Sequence, residues 1–214
     1  MTALAAVLWD MDGTLVDTEP LWMAAEGRIA AEHGKVWTEQ DGLDLVGSAL
    51  EVSGEIIRTK LDLPLTSAEI VDRLVTEVAA GLAGGDASWR PGAVELVKAL
   101  DAEGVPQALV TMSYVPLAKV VADQLPFAAV VTGDAVTHGK PHPEPYETAA
   151  RMLGVDPAAC VAVEDSSTGA TSANAAGCHV LAVPNMVAVP QAAQRTHRTT
   201  LAGMTPDDLR ALLA

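Results

Sequence analysis

Ala5-Ala6-Val7-Leu8-Trp9-Asp10-Met11-Asp12-Gly13-Thr14-Leu15-Val16-Asp17-Thr18-Glu19-Pro20 runs from an apolar segment into two carboxylates one residue apart, with a glycine directly after the second. The apolar run from Ala5 to Trp9 reads as a strand buried on both faces. Asp10 and Asp12 then stand where the backbone leaves a sheet, and strand alternation points both side chains the same way. Two anions this close repel each other unless a cation joins them. A hard divalent ion such as magnesium, held by few carboxylates together with water and a substrate phosphate, suits the pair. Asp-x-Asp-Gly also fits a common turn or a fragment of a calcium loop. A calcium loop of the EF-hand kind needs further oxygen ligands at alternate positions and a late glutamate, whereas Thr14-Leu15-Val16 follows here.

Past Pro20 the pattern turns helical, with Leu21, Ala24, Ala25 and Ile29 on one face and Gly34 as a stop. Thr38 is a candidate cap for the next helix, Ala49 to Leu61 reads as another, and Thr66-Ser67-Ala68-Glu69 is a capping box opening one that runs to about Ala83. Gly84-Gly85 ends this block. Two linkers, Asp17 to Pro20 and Gly84 to Ala87, would join it to the rest, so residues 18–86 are expected to form a helical insertion and 1–17 with 87–214 the core. From Arg90 the chain alternates. Pro91 suits a first helical position and Gly104 a stop. The expected order is then strand 105–111, helix 116–124, strand 128–132, helix 144–153, strand 160–163, helix 168–176 and strand 179–183, with Thr205-Pro206-Asp207-Asp208 opening a last helix. Apolar Val/Ala/Leu strands between helices imply a parallel sheet covered on both faces.

The 214 residues, half of them hydrophobic, suffice for one ordinary domain plus an insertion, with a core that is aliphatic because only seven aromatics are present. A net charge of -15 argues against a nucleic-acid or anionic-membrane partner and requires any phosphate site to be locally positive. Cys160 and Cys178 lie in apolar surroundings and read as buried thiols, not as a disulfide framework or a metal site. Met1 to Leu8 lacks a basic segment and runs into Asp10, and no apolar stretch approaches a membrane span. A cytoplasmic protein, monomeric or weakly homo-oligomeric, is the expectation.

Polar residues recur where apolar runs end: Asp10 and Asp12, then Thr111 and Ser113, Lys140, and Glu164 with Asp165. Ligands of parallel α/β sheets bind beyond the carboxyl ends of the strands. Each later element alone reads equally as a helix cap or a solvated turn. In this order they resemble the four motifs of the haloacid dehalogenase superfamily, over nearly the whole chain. The resemblance implies an α/β fold, a Rossmann-like parallel sheet core with a small all-helical cap domain inserted after the first strand. It further implies Asp10 as nucleophile, Asp12 as general acid/base, and magnesium on Asp10, the backbone carbonyl of Asp12 and Asp165, with Glu164 a direct or outer ligand. Lys140 would supply fixed positive charge. Thr111, the N–H groups of Met112 and Ser113, and the Gly13 turn would receive the phosphate. Met112 departs from the asparagine often found after this threonine, which removes one side-chain donor.

The junction Asp17-Thr18-Glu19-Pro20-Leu21-Trp22 is similar to the subgroup of beta-phosphoglucomutases and sugar- or polyol-phosphate phosphatases. A mutase needs a cation in its cap for a second phosphate. Here Val46 and Leu50 stand where mutases carry basic residues, and Trp22 stands in place of a histidine. That favours a magnesium-dependent phosphatase acting on a small phosphorylated metabolite, unless Arg28, Arg58 or Lys60 reaches the cavity from another direction. Glu19 and Trp22 are candidates for substrate contact, or equally for a cap and an anchor. The alternatives are a phosphosugar mutase and a catalytically silent phosphometabolite-binding protein, although the latter should have lost Asp10, Asp12 or Asp165. Dehalogenation would leave Asp12 and the metal carboxylates superfluous.

Overall fold

A computed structural model of the chain describes residues 3–213, so the reading of Met1 to Leu8 falls partly outside it, at Met1 and Thr2. In chain order the elements begin with β1 (Ala6–Trp9), a short β2 (Val16–Asp17) and four helices, α1 (Glu19–Glu32), α2 (Glu39–Leu43), α3 (Leu50–Leu61) and α4 (Ser67–Gly84). A short β3 (Ser88–Trp89), α5 (Ala93–Ala102), β4 (Gln107–Val110), α6 (Val115–Ala122) and β5 (Ala129–Val131) follow. The chain ends with α7 (Glu144–Leu153), β6 (Cys160–Glu164), α8 (Ser167–Ala175), β7 (His179–Ala182), β8 (Arg195–His197) and α9 (Pro206–Ala211).

Six strands form one parallel sheet in the order β5-β4-β1-β6-β7-β8. The chain builds outward from β1 in one direction through β4 and β5, then returns to its other side with β6. That reversal is the switch point at which such sheets open a crevice. Alternate residues of β1 feed two cores. Val7 and Trp9 pack with Leu96 and Val97 of α5 and Leu117 of α6, while Ala6 and Leu8 pack with Tyr146 of α7 and Ala170 and Ala173 of α8. The polar edge of Trp9 is satisfied inside: its indole N–H donates to Gln107 Oε1 at 2.9 Å, and Gln107 Nε2 donates to the Val97 carbonyl at 3.0 Å.

The four consecutive helices leave and re-enter the sheet domain through β2 and β3, which pair antiparallel, Val16 opposite Trp89 and Asp17 opposite Ser88. The Thr66–Glu69 capping box forms, and Thr38, the other candidate cap, forms one with Asp41. In α4 the buried positions Val71, Leu74, Val75, Val78 and Leu82 follow helical spacing and bind it to its neighbours.

Several local expectations are corrected. The inward face of α1 is Trp22, Ala25, Glu26, Ile29 and Ala30, with Leu21 only half-buried and Ala24 exposed, because the helix lies along a polar cleft. Pro20 lies inside α1, and Pro91 precedes α5, whose N-cap is Gly92. Lys140 does not follow β5 directly but comes after a 3-10 turn, Gly133–Ala135. Arg195–His197 has no apolar run yet forms the edge strand, held by the Val180 N–H donating to the Gln194 carbonyl and by the Arg195 guanidinium on Asn174 Oδ1. Cys160 and Cys178 are buried free thiols. Among the described residues no helix is long and apolar enough to cross a membrane.

Candidate active site

Asp10 follows the last residue of β1, and its N–H still donates to the Val163 carbonyl at 3.0 Å, so β1 and β6 stay registered up to the point where the carboxylate emerges. Thr111 follows β4, and Glu164 closes β6 with Asp165 next to it. Three adjacent parallel strands thus bring residues from distant parts of the chain to one edge. One oxygen from each of Asp10, Glu164 and Asp165 lies within 4.8 Å of the others, all buried. Lys140 reaches into this group. Its ammonium donates to Asp10 Oδ1 and Glu164 Oε1, both at 2.6 Å, and to the Val110 carbonyl at 3.0 Å, which uses all three of its protons.

Burial and charge here pull against each other. Burial, with the neighbouring Glu164, raises the Asp10 carboxyl to about 7, although Lys140 pulls it down. Burial first, then Asp10, Glu164 and Glu19, holds Asp165 well above its ordinary value. For Lys140, burial works against the charge, but Asp10 and Glu164 outweigh it and raise its pKa. Three carboxylates surround one ammonium, which leaves two negative charges uncompensated if all ionise. A divalent cation with a preference for oxygen fits that deficit and that donor set.

The four acidic residues are not equivalent. Glu164 is fully engaged: Oε1 accepts from Lys140 and from the Tyr146 hydroxyl at 2.6 Å, and Oε2 from the Ser166 N–H and hydroxyl at 3.3 and 3.0 Å. Gly169 is required beside it, because a Cβ there would lie 1.8 Å from Glu164 Oε1. Asp165 receives only the Thr14 hydroxyl, at 3.5 Å. The Asp12 side chain is outside the carboxylate group. Its Oδ1 accepts from Thr18 at 2.6 Å and the Trp22 indole at 3.3 Å, and its Oδ2 from Thr111 at 3.1 Å and Ser113 at 2.8 Å.

The expected phosphate donors lie at the site with partners of their own. The Ser113 N–H donates to Thr111 Oγ1 at 2.9 Å, and the Gly13 N–H to the Val16 carbonyl at 2.8 Å. Gly13 has a second reason to be glycine: its φ is +80°, and a Cβ would lie 2.1 Å from Asp165 Oδ2. The Met112 sulfur accepts the Lys140 N–H at 3.2 Å, a contact on the loop that presents the lysine.

A cleft opens on this edge, lined on the sheet side by Asp10, Asp12, Met112, Ser113, Lys140 and Asp165. Glu19, Trp22, Glu26, Leu45, Val46 and Leu50 are among the residues that close it from the helical side. Burial, then Asp12 and Glu26, pushes the Glu19 carboxyl up to about 8. Arg28, Arg58 and Lys60 do not line the cleft; they pair with Glu77, Glu55 and Asp41. Sequence reasoning missed Tyr146, Ser166, Thr18 and Glu26. Tyr146 is one of only two tyrosines in an aromatic-poor chain, which is a signal, whereas nothing in the sequence marks Glu26 as buried.

Residues 4–177 match the family model described as haloacid dehalogenase-like hydrolase. The chain belongs to that family. It is 33% identical over 183 residues to hexitol phosphatase A of Escherichia coli K12, covering 82% of this chain and 81% of that protein. It is 30% identical over 189 residues to a phosphorylated carbohydrates phosphatase of Thermotoga maritima, covering 81% and 82%. Among solved structures, CbbY from Rhodobacter sphaeroides in complex with phosphate superposes with a TM-score of 0.85 at 27% identity, covering 96% of this chain and 99% of the other. The strand-end order of Asp10, Thr111, Lys140 and Glu164-Asp165 is thus set on a sheet this hydrolase family shares.

Proposed function

We propose that the protein is a magnesium-dependent phosphatase of small sugar or polyol monophosphates, working through an aspartyl phosphate on Asp10. The cleft that ends on Asp10 carries this reading: its sheet wall holds the nucleophile, the lysine and the acidic cluster, and its helical wall offers no cation. An Asp10 oxygen attacks phosphorus, and the bond from phosphorus to the substrate alcohol breaks. Asp12 gives its proton to that oxygen and later takes one from the water that hydrolyses the aspartyl phosphate, which regenerates both carboxyl groups. Thr18, Trp22, Thr111 and Ser113 fix Asp12 in place for both transfers. Lys140 spans Asp10 and Glu164 and keeps the nucleophile oriented while neutralising part of the transferred charge.

Magnesium would be held by Asp10, the Asp12 carbonyl and Asp165, and when bound it supplies charge neutralisation to the phosphoryl oxygens. Glu164, with every oxygen position already bonded, serves as an outer partner that aims Lys140. Residues 18–86 act as a cap domain and 1–17 with 87–214 as its base, hinged at the β2–β3 pair, and closing the cap excludes bulk water.

The mutase alternative requires a second anion site in the cap. Val46 and Leu50 both line the cleft, and Lys140 is the one cationic side chain among its lining residues. Product analysis with beta-glucose 1-phosphate and a trace of the bisphosphate separates the two. Free phosphate as the main product is expected; predominant glucose 6-phosphate with little free phosphate would establish the mutase.

A further inference from the structure

Along α1, Glu19, Trp22 and Glu26 occupy positions i, i+3 and i+7, one face of the helix, and all three line the cleft. Trp22 touches Asp12 through its indole N–H, so the start of this face lies at the reacting end. Glu26 lies two turns further on, about 10 Å from Glu19 along the axis. To the same cleft α3 contributes Ser53. Glu26 is 5% exposed and Ser53 6% exposed, and polar groups buried to that degree are normally fully hydrogen-bonded.

These two are not. Glu26 Oε2 accepts the Trp37 indole N–H at 2.8 Å, but among the described residues Oε1 has no hydrogen-bond partner, and neither has the Ser53 hydroxyl. Neither atom is sealed off, since the one fully buried side-chain polar atom without a partner among the described residues is His197 Nδ1. Both therefore spend their free capacity on the cleft they line.

The chemistry of an occupant follows. No cap cation lines the cleft to hold a second phosphate or a carboxylate. An aliphatic tail would leave Glu26 and Ser53 unpaired, which costs binding free energy. Uncharged hydroxyls, which both donate and accept, satisfy each of them. Burial pushes the Glu26 carboxyl up to about 7, so near neutrality it serves as donor and acceptor alike. Leu45, Leu50 and Leu74 supply apolar wall for the carbon faces of a polyol.

We propose that Glu26 and Ser53 form a distal hydroxyl-reading subsite that selects monophosphates of uncharged polyols or sugars about five or six carbons long. The length comes from comparing the roughly 10 Å between Glu19 and Glu26 with about 1.3 Å of reach per bond in an extended chain. This specificity rests on the phosphatase reading above.

The test compares steady-state kinetics on a hexitol 6-phosphate, on glycerol 3-phosphate and on p-nitrophenyl phosphate, with magnesium present. The wild type should favour the hexitol phosphate in kcat/KM. Glu26→Leu and Ser53→Ala should each raise KM for it by about five- to tenfold with kcat little changed, and leave glycerol 3-phosphate within about twofold. Glu26→Gln, which keeps a donor and an acceptor, should restore most of the loss. Ser53→Ala, the smallest change, keeps the test open if Glu26→Leu does not fold. Equal losses on the short and long substrates, or none on the long one, would overturn the subsite and leave the phosphatase intact. No phosphate release by the wild type from any of the three would overturn the phosphatase reading itself, and the subsite with it.

Discussion

At the scale of single residues, the site works by placing charge where water would otherwise be needed. Asp10 is buried with two other carboxylates and one lysine, so replacing it with asparagine removes the proposed nucleophile and one carboxylate together. Asp10→Asn should lose phosphate release on p-nitrophenyl phosphate by at least about a thousandfold. The metal-free variant should melt no lower than wild type by calorimetry, because the remaining charges repel less. Retained turnover would exclude the covalent route. Glu26 gives a pH prediction of definite sign. Its carboxyl is raised from 4.5 to about 7, first by burial and also by Asp41, against the Trp37 hydrogen bond that lowers it. Between those values the folded protein holds a proton that the unfolded chain has released, so this residue's contribution to stability falls as pH rises from about 4.5 to about 7 and then levels off. Glu26→Gln removes that loss. Its melting temperature relative to wild type should therefore climb across this window and plateau above it; a difference independent of pH would refute the assignment.

At the scale of elements, the four helices between β2 and β3 owe their ends to local chemistry and their position to burial. The Thr66 side chain accepts the Glu69 N–H while Glu69 reaches back to the Thr66 N–H, closing the first turn of α4. Thr66 lines no part of the cleft. Thr66→Ala should cost about 1 kcal/mol, a drop of roughly 2–4 °C in Tm, with kcat on p-nitrophenyl phosphate unchanged. A large fall in kcat without a fall in Tm would show that α4 takes part in the reaction. The same helices touch the sheet domain at the rim of the cleft, where the Tyr114 hydroxyl donates to Glu51 and Trp22 donates to Asp12. The second contact makes the orientation of Asp12, the proposed general acid, depend on the seating of α1.

At the scale of the whole molecule, the balance of charge at one sheet edge couples metal, fold and activity. Chelation should abolish turnover and magnesium should restore it, while calcium, larger and less strict in its coordination, should occupy the cluster and inhibit. Because a metal held by this cluster would bind the folded state only, Tm should rise with magnesium concentration in the wild type and far less in Asp165→Ala. Full activity in excess chelator would sink the metal assignment. Much of this architecture was legible in the chain itself. Apolar runs and helix caps placed nearly every element within a few residues, and the order Asp10, Thr111, Lys140, Glu164-Asp165 at the strand ends pointed to residues that the fold does gather at one sheet edge, because period and capping are properties of neighbouring residues. β8 was not legible, since its polar residues join the sheet through backbone bonds and through side-chain bonds to Asn174 and His179, none of which needs an apolar run. Only the tertiary structure decided that Glu164 is saturated by Lys140, Tyr146 and Ser166 while Asp165 stays open, and that Glu26 turns inward while Arg28 turns out to Glu77. Such outcomes depend on which distant side chains arrive at the same place, and helical spacing cannot say whether a carboxylate on a given face meets water or a cleft.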